Sequence, residues 1–323
     1  MAINLQPTRV EPATSAATLL KINHPHPQLL ALGAIVLWSS LASLGVALAH
    51  VPPFLLTGLS LLLGGLIALP LSGFKLAAWR VPLPTLALGV YGLFGYHFLL
   101  FMALRLAPPV QANLVNYLWP LLIVVLAPVF LPHLRLHWQH VVAALLGFGG
   151  AAVVILGGAG SGADARAGGV VGAGFGVDTL AVGLADSAWG YVAALAAAFM
   201  WASYSLLTRR VPAFPTAAIG TFAWVSGLLS LLCHALMEPS VDLSLRDWAL
   251  IGVMGLGPMG AAFFLWDKAL KTGDARHIGI LSYLTPLLST ALLMWVSGRS
   301  MTWPVGLAAL LIVGAAWLGM RAR

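Results

Sequence analysis

Residues Asn113 to Pro128 read NLVNYLWPLLIVVLAP, a segment that sets two asparagines, a tyrosine, a tryptophan and two prolines into an otherwise apolar run. At about 100° per residue, Asn113, Asn116, Trp119, Pro120 and Ile123 share one face of a helix, with Tyr117 at its border. Pro120 has no N–H, so the carbonyl of Asn116 loses its ordinary helical partner, and the backbone and side chain of that residue both need satisfying at one depth. A polar spot inside an apolar helix is the expected result. The same punctuation returns 166 residues later in Leu281 to Pro286, LSYLTP, where Tyr283, Leu284 and Pro286 repeat Tyr117, Leu118 and Pro120. Ser282 takes the place of Asn116.

The composition around this segment decides the class. Apolar residues make up 60% of the chain, charged residues 8%, and the mean hydropathy is +0.97, whereas a soluble domain carries about a quarter charged residues. The expected fold is all-α and integral to a membrane. Stretches of about 20 apolar residues, the length that crosses a hydrocarbon core, fall at 28–49, 53–72, 83–105, 109–131, 137–157, 187–208, 213–236, 247–268, 275–297 and 302–320.

A net charge of +7 raises the question of nucleic acid, but the basic residues stand singly among loops and form no stripe with interleaved aromatics, so none is expected as a partner. They report topology instead. With the N-terminus inside, 12 of the 16 Lys and Arg residues fall on the inner side, and only Arg105, Arg166, Arg246 and Arg299 fall outside. That bias places both termini in the cytoplasm. The single Cys233 rules out an intrachain disulfide and reads as a small apolar residue.

Residues 1–27 are polar and proline-containing, as in a disordered cytoplasmic tail, and 158–186 is a Gly/Ala-rich stretch expected to be an outer linker. Between and beyond them lie 28–157 and 187–323, five helices each. At the offset of 166, Ala103, Leu104, Leu121, Leu122 and Leu126 also match Ala269, Leu270, Leu287, Leu288 and Leu292. Because five is odd, the two copies are expected to face opposite ways. Proline-interrupted helices at matching positions of an inverted repeat point to a transporter whose substrate sits between the halves.

The segments VNYLWP at Val115 to Pro120 and IVLWS at Ile35 to Ser39, together with the helix count and the repeat, resemble the drug/metabolite transporter superfamily in its ten-helix EamA-type form, and more narrowly its bacterial aromatic amino acid exporters. The resemblance implies an inner-membrane carrier with alternating access around a central cavity, acting on aromatic and other neutral amino acids, without a cofactor.

Residues for such a cavity can be named from the chain. Ionisable groups inside spans merit a functional hypothesis by default, and His97 near the middle of the third helix is the deep candidate, with Phe101 on its face. A core histidine bonded to a backbone carbonyl is the other reading of it. Trp38, Trp119 and Trp201 lie away from helix ends and suit either aromatic cavity walls or packing. Tyr204 and Ser205 share a face with Trp201. The expected lining is Trp38, His97, Phe101, Asn113, Asn116, Tyr117, Trp119, Trp201, Tyr204, Ser282 and Tyr283, with Pro120, Pro258 and Pro286 as hinges for a rocking of the two five-helix halves. His97 permits protons as a co-substrate without requiring them. Asp267 and Lys268 read as anchors at the inner surface, and Gly89, Gly92, Gly95, Gly252, Gly255 and Gly257 as close-packing positions.

Competing classes fit less well. An enzyme lacks a deep carboxylate pair, a nucleophile elbow, or more than the one spaced histidine pair at His133 and His137. No phosphate loop of the GxxxxGK[ST] type is present for ATP drive. A nucleotide-sugar carrier of the same superfamily would want Arg or Lys deep in the cavity, and none lies between helix ends.

Overall fold

The computed structural model describes residues 26–158, 187–296 and 303–322. The expected N-terminal tail and the Gly/Ala-rich linker lie almost wholly outside the described residues. Among those described every regular element is a helix. Ten spans are long and apolar enough to cross a membrane, numbered here in chain order: Pro27–Ala47, Pro53–Leu71, Leu83–Leu106, Pro109–Phe130, Trp138–Leu156, Ala188–Leu207, Thr216–Met237, Leu245–Thr272, Ala275–Val296 and Trp303–Arg321.

Their starts follow local chemistry. Pro27, Pro53 and Pro109 open spans 1, 2 and 4, where the missing N–H costs nothing and the fixed φ is already helical. Span 8 opens on a capping box, with the Ser244 hydroxyl accepting from the Asp247 N–H and the Asp247 carboxylate accepting from the Ser244 N–H. Span 9 opens on Asp274, whose carboxylate accepts from the Arg276 N–H.

Several spans are not uniform helices, and their irregularities repeat. Spans 3 and 8 each carry a five-residue π-helical turn, Tyr91–Gly95 and Gly257–Ala261, offset by the same 166 residues that relate the sequence halves. Spans 4 and 9 each break over two residues, at Tyr117 and Leu118 and at Ser282 and Tyr283, so that each is a short helix followed by a longer one. Asn116 therefore ends one helix and Trp119 begins another. The unbroken face drawn from Asn113 to Ile123 is interrupted, although all of Asn113, Asn116, Trp119, Pro120 and Ile123 are buried.

Helix packing forms a closed ring. Span 1 packs on span 8, span 8 on 2, 2 on 7, 7 on 3, 3 on 6, 6 on 4, 4 on 9, and 9 on 1. Spans 5 and 10 pair with each other outside this ring, against spans 4 and 9. Every step round the ring joins a helix before residue 158 to one after 187, and exchanging each helix for the one five places on maps the contacts onto themselves. The halves interlock, so the expectation that they rock as two separate five-helix bodies does not suit this packing.

Glycines let the ring close. A Cβ on Gly89 would stand 2.1 Å from the Phe222 ring and one on Gly92 2.2 Å from Tyr204, which brings span 3 against spans 7 and 6. Gly252, by contrast, faces open space, so the packing expected of it is absent.

Candidate functional site

The ring encloses a cavity of about 420 Å³, within the roughly 300–1,000 Å³ of small-molecule sites. Part of its wall is aromatic. Trp38 of span 1, Trp119 of span 4, Trp201 of span 6 and Phe263 of span 8 all line it. Behind them lies Trp266, with 1% of its surface exposed. These rings pack in edge and tilted geometries: Trp38 lies 5.8 Å from Trp201, 6.5 Å from Trp119 and 5.1 Å from Trp266, and Trp201 lies 5.8 Å from Phe263. Such pairs add about 0.5–1.5 kcal/mol each beyond area burial. Two of the four indoles use their N–H within the protein. The Trp38 indole N–H donates to the carbonyl of Pro258 at 3.1 Å and that of Trp266 to the Ser205 hydroxyl at 3.2 Å.

Polar groups cluster on one side. Asn113 and Asn116 precede the break of span 4, Tyr117 falls within it, and Thr285 and Ser289 follow the break of span 9; all five line the cavity. The Asn116 side-chain N–H₂ donates to the Tyr96 hydroxyl at 3.2 Å. His97 is 8% exposed, and its Nδ1 lies 2.6 Å from the Leu93 carbonyl. A carbonyl only accepts, so Nδ1 carries the proton. His97 thus lines the cavity while its Nδ1 is spent on the backbone. Phe101 lines the same wall.

The cavity opens at one end. Its exposed lining residues Ala49, Arg105 and Pro109 belong to the junctions between spans 1 and 2 and between spans 3 and 4. Here the buried carboxylate of Glu238, at the end of span 7, accepts from the N–H groups of Phe54 and Leu55 at the start of span 2 and from Arg105 at 3.0 Å, and pairs with His234. A carboxylate at a helix N-terminus offsets the dipole of span 2 while tying spans 2, 3 and 7 together.

The opposite end is sealed. Next to Trp266 in the chain, Asp267 is 2% exposed and pairs with Lys271 at 2.7 Å, while the Thr216 hydroxyl donates to the same carboxylate at 2.8 Å. Lys271 also donates to the Phe214 carbonyl at 3.0 Å and sits 3.6 Å over its ring. The anchoring role expected of Asp267 is corrected here: Asp267 is buried with Lys271, one turn on, while Lys268 faces out. Nearby, Arg276 holds Asp274 at 2.6 Å and donates to the Arg135 carbonyl.

Three expected lining residues sit elsewhere. Tyr204, 3% exposed, lies over Gly92 and beside Trp201, between spans 3 and 6. Ser282 is fully buried, with its hydroxyl returned to the Ile278 carbonyl at 2.8 Å. Tyr283 is fully buried against Gly147 and packs among spans 5, 9 and 10, outside the ring. The break in span 9 turns these two away and brings Thr285 inward instead. Residues not foreseen as lining include Tyr96, Thr285, Ser289, Met254, Met259 and Phe263.

The arrangement suits a planar apolar body held edge and face by indoles, with a polar end met by amide, hydroxyl and phenol groups. Among the described residues no aspartate or glutamate lines the cavity, and Arg105 at its mouth is the one Lys or Arg that does.

A model of the EamA-like transporter family matches the chain twice, over residues 27–156 and 188–320. The aromatic amino acid exporter YddG of Ancylobacter novellus is 43% identical over 88% of this chain and 93% of that protein. The exporters of the same name from Escherichia coli and Salmonella typhimurium are 26% and 28% identical, each over 91% of this chain and 97% and 98% of their own lengths. A solved crystal structure 39% identical in sequence superposes with a TM-score of 0.79, covering 91% of this chain and 96% of the other.

Proposed function

Since the chain belongs to the EamA-like transporter family, and is therefore a multi-pass membrane carrier, we propose that it exports aromatic and other neutral amino acids across a bacterial inner membrane. The observation that carries this reading is the cavity wall of Trp38, Trp119, Trp201 and Phe263, joined to a polar side at Asn113, Asn116 and Thr285. An indole or phenyl ring fits the first and the amino acid backbone the second. The names of relatives up to 43% identical point the same way.

Both termini lie in the cytoplasm, on the strength of the basic residues, and the two halves are inverted copies, in keeping with the exchange symmetry of the packing. In that orientation the open mouth beside Arg105 faces the periplasm and the seal of Asp267 and Lys271 faces the cytoplasm. The conformation is then the one that releases an exported substrate.

Because the halves interlock, access alternates by bending within spans. The π-turns of spans 3 and 8 and the breaks of spans 4 and 9 divide these helices near Pro120, Pro258 and Pro286, where backbone bonds are already interrupted. Mouth and seal close in turn around substrate. His97, with its Nε2 unspent, is the group through which protons would couple if export draws on them. A nucleotide-sugar cargo fits less well, since Arg105 is already engaged by Glu238.

Counterflow of labelled tryptophan, phenylalanine and threonine into proteoliposomes holding this protein alone is the test. Saturable, mutually competitive flux is the expected result. Folded protein that moves none of them above empty liposomes would overturn the reading.

A further inference from the structure

Eleven side-chain polar atoms are buried without a hydrogen-bond partner among the described residues, and of these two belong to residues that line the cavity: Asn116 Oδ1 and Thr285 Oγ1. Both residues are more than nine-tenths buried, at 4% and 7% exposure. A buried acceptor left without a donor bears its full desolvation penalty, so native structures rarely leave one unless something else arrives to meet it. Helical serines and threonines often return their hydroxyl to a carbonyl three or four residues back, as Ser39, Ser40, Ser72, Thr208, Thr272 and Ser282 do here. Thr285 does not, and neither do Ser43, Ser60, Thr85, Ser226 and Ser230, but among these described residues Thr285 alone lines the cavity.

The backbone favours the same sign of ligand. Asn116 is the last residue of the first helix of span 4, and a helix C-terminus is the negative end of its dipole. Pro120 has no N–H to offer the Asn116 carbonyl. The amide N–H₂ of Asn116 is already given to Tyr96, which leaves its Oδ1 as an acceptor facing no donor of the protein. With no carboxylate in the lining, a cation bound here is met by neutral oxygens, a hold loose enough for a carrier that must let go.

We propose that Asn116 and Thr285 form the subsite that accepts the ammonium group of the transported amino acid. The assignment rests on the reading of the cargo as an amino acid, and it places the ring of the substrate toward the tryptophans and its nitrogen at the helix breaks of spans 4 and 9. Each half of the chain then contributes one acceptor. The two are not repeat partners, because Asn116 corresponds to Ser282 and Thr285 to Trp119.

The test is equilibrium binding of tritiated phenylalanine to the purified protein, competed by phenethylamine, which lacks the carboxylate, and by 3-phenylpropionate, which lacks the nitrogen. Thr285→Val keeps the shape and removes the hydroxyl. It should weaken phenylalanine and phenethylamine about tenfold, the equivalent of one hydrogen bond, and leave 3-phenylpropionate unchanged, with Thr285→Ser restoring the wild-type pattern. Asn116→Asp supplies a second route and should strengthen phenethylamine while excluding 3-phenylpropionate. Loss confined to 3-phenylpropionate in Thr285→Val, or equal weakening of all three ligands, would overturn the subsite while leaving the amino acid reading intact. Wild-type protein that binds no phenylalanine would overturn that reading, and the subsite with it.

Discussion

The indole N–H of Trp38 in span 1 donates to the carbonyl of Pro258, 220 residues away in the π-helical turn of span 8, across 3.1 Å. It fastens the centre of the aromatic wall to the one proline that sits inside a π-turn. Span 1 belongs to the first half of the chain and span 8 to the second, so the bond also crosses between them. Trp38→Phe keeps a ring in the cluster but gives up the donor. It should cost about 0.5–1.5 kcal/mol, the net value of one hydrogen bond, and it should slow amino acid exchange by freeing the turn. Trp38→Ala, which empties the site, should cost about 3–5 kcal/mol. Thermal unfolding in detergent, run beside counterflow, separates the two; a Trp38→Phe variant as stable and as active as wild type would show that the hydrogen bond carries nothing.

Gly92 lets span 3 lie on the ring of Tyr204, and Gly252 faces nothing. Gly92→Ala should therefore destabilise the protein by about 1–3 kcal/mol through overpacking. Gly252→Ala should be neutral or stabilising by up to about 1 kcal/mol, through helix propensity alone. Melting temperatures of the pair decide this, and a harmless Gly92→Ala would contradict the close approach.

The seal at the end away from the mouth rests on Asp267 and Lys271, which pair at 2.7 Å with 2% and 23% of their side chains exposed. Lys271→Met strands the carboxylate beside Thr216, and breaking one partner of a buried pair costs about 3–5 kcal/mol. Replacing both, as Asp267→Asn with Lys271→Met, should recover most of that loss. If the seal holds the cavity shut, both variants should also raise the labelling of a cysteine placed at Trp119 by a reagent supplied from the side of the seal. Unchanged labelling would separate stability from gating.

Much of this was readable before any coordinates. Ten apolar spans declare themselves by length, and the repeat by its Tyr-Leu-x-Pro signature, which also marks where spans 4 and 9 break. Trp38, His97, Asn113, Asn116 and Trp119 were legible as candidates because a polar or aromatic side chain amid leucines stands out, although packing or a backbone bond would explain some of them equally well. The repeat misled where the halves differ. Ser282 and Tyr283 inherit the spacing of Asn116 and Tyr117, yet one returns its hydroxyl to its own helix and the other packs outside the ring. Thr285 lines the cavity where the first half has a tryptophan. Trp266 corresponds to Leu100 and so carried no repeat signal, and a span ended at 268 left it near a surface. The π-turns that lengthen spans 3 and 8 have no signature in hydropathy. They also shift which faces look inward, which is why Tyr96 and Phe263 went unforeseen.

Asp274 lies between spans 8 and 9 and offers a pH test outside the apolar core. Burial pushes its carboxyl upward, but hydrogen bonds from the side chain and backbone of Arg276 and the nearby positive charge outweigh that and hold it below the ordinary carboxylate value. A carboxylate depressed in the folded state contributes stability above its unfolded value, about 3.9, and loses it as pH falls through the folded one. The same Arg276 reaches the Arg135 carbonyl, so the pair joins the start of span 9 to the loop after span 4. Asp274→Asn keeps a helix cap, since Asn and Asp serve equally there, and removes only the charge. At neutral pH it should melt a few degrees below wild type. As the pH drops below about 4 the two curves should converge, because wild type then loses what the variant never had. A gap that persists into acid would mean that shape at the cap, and not the charge on Asp274, holds this junction.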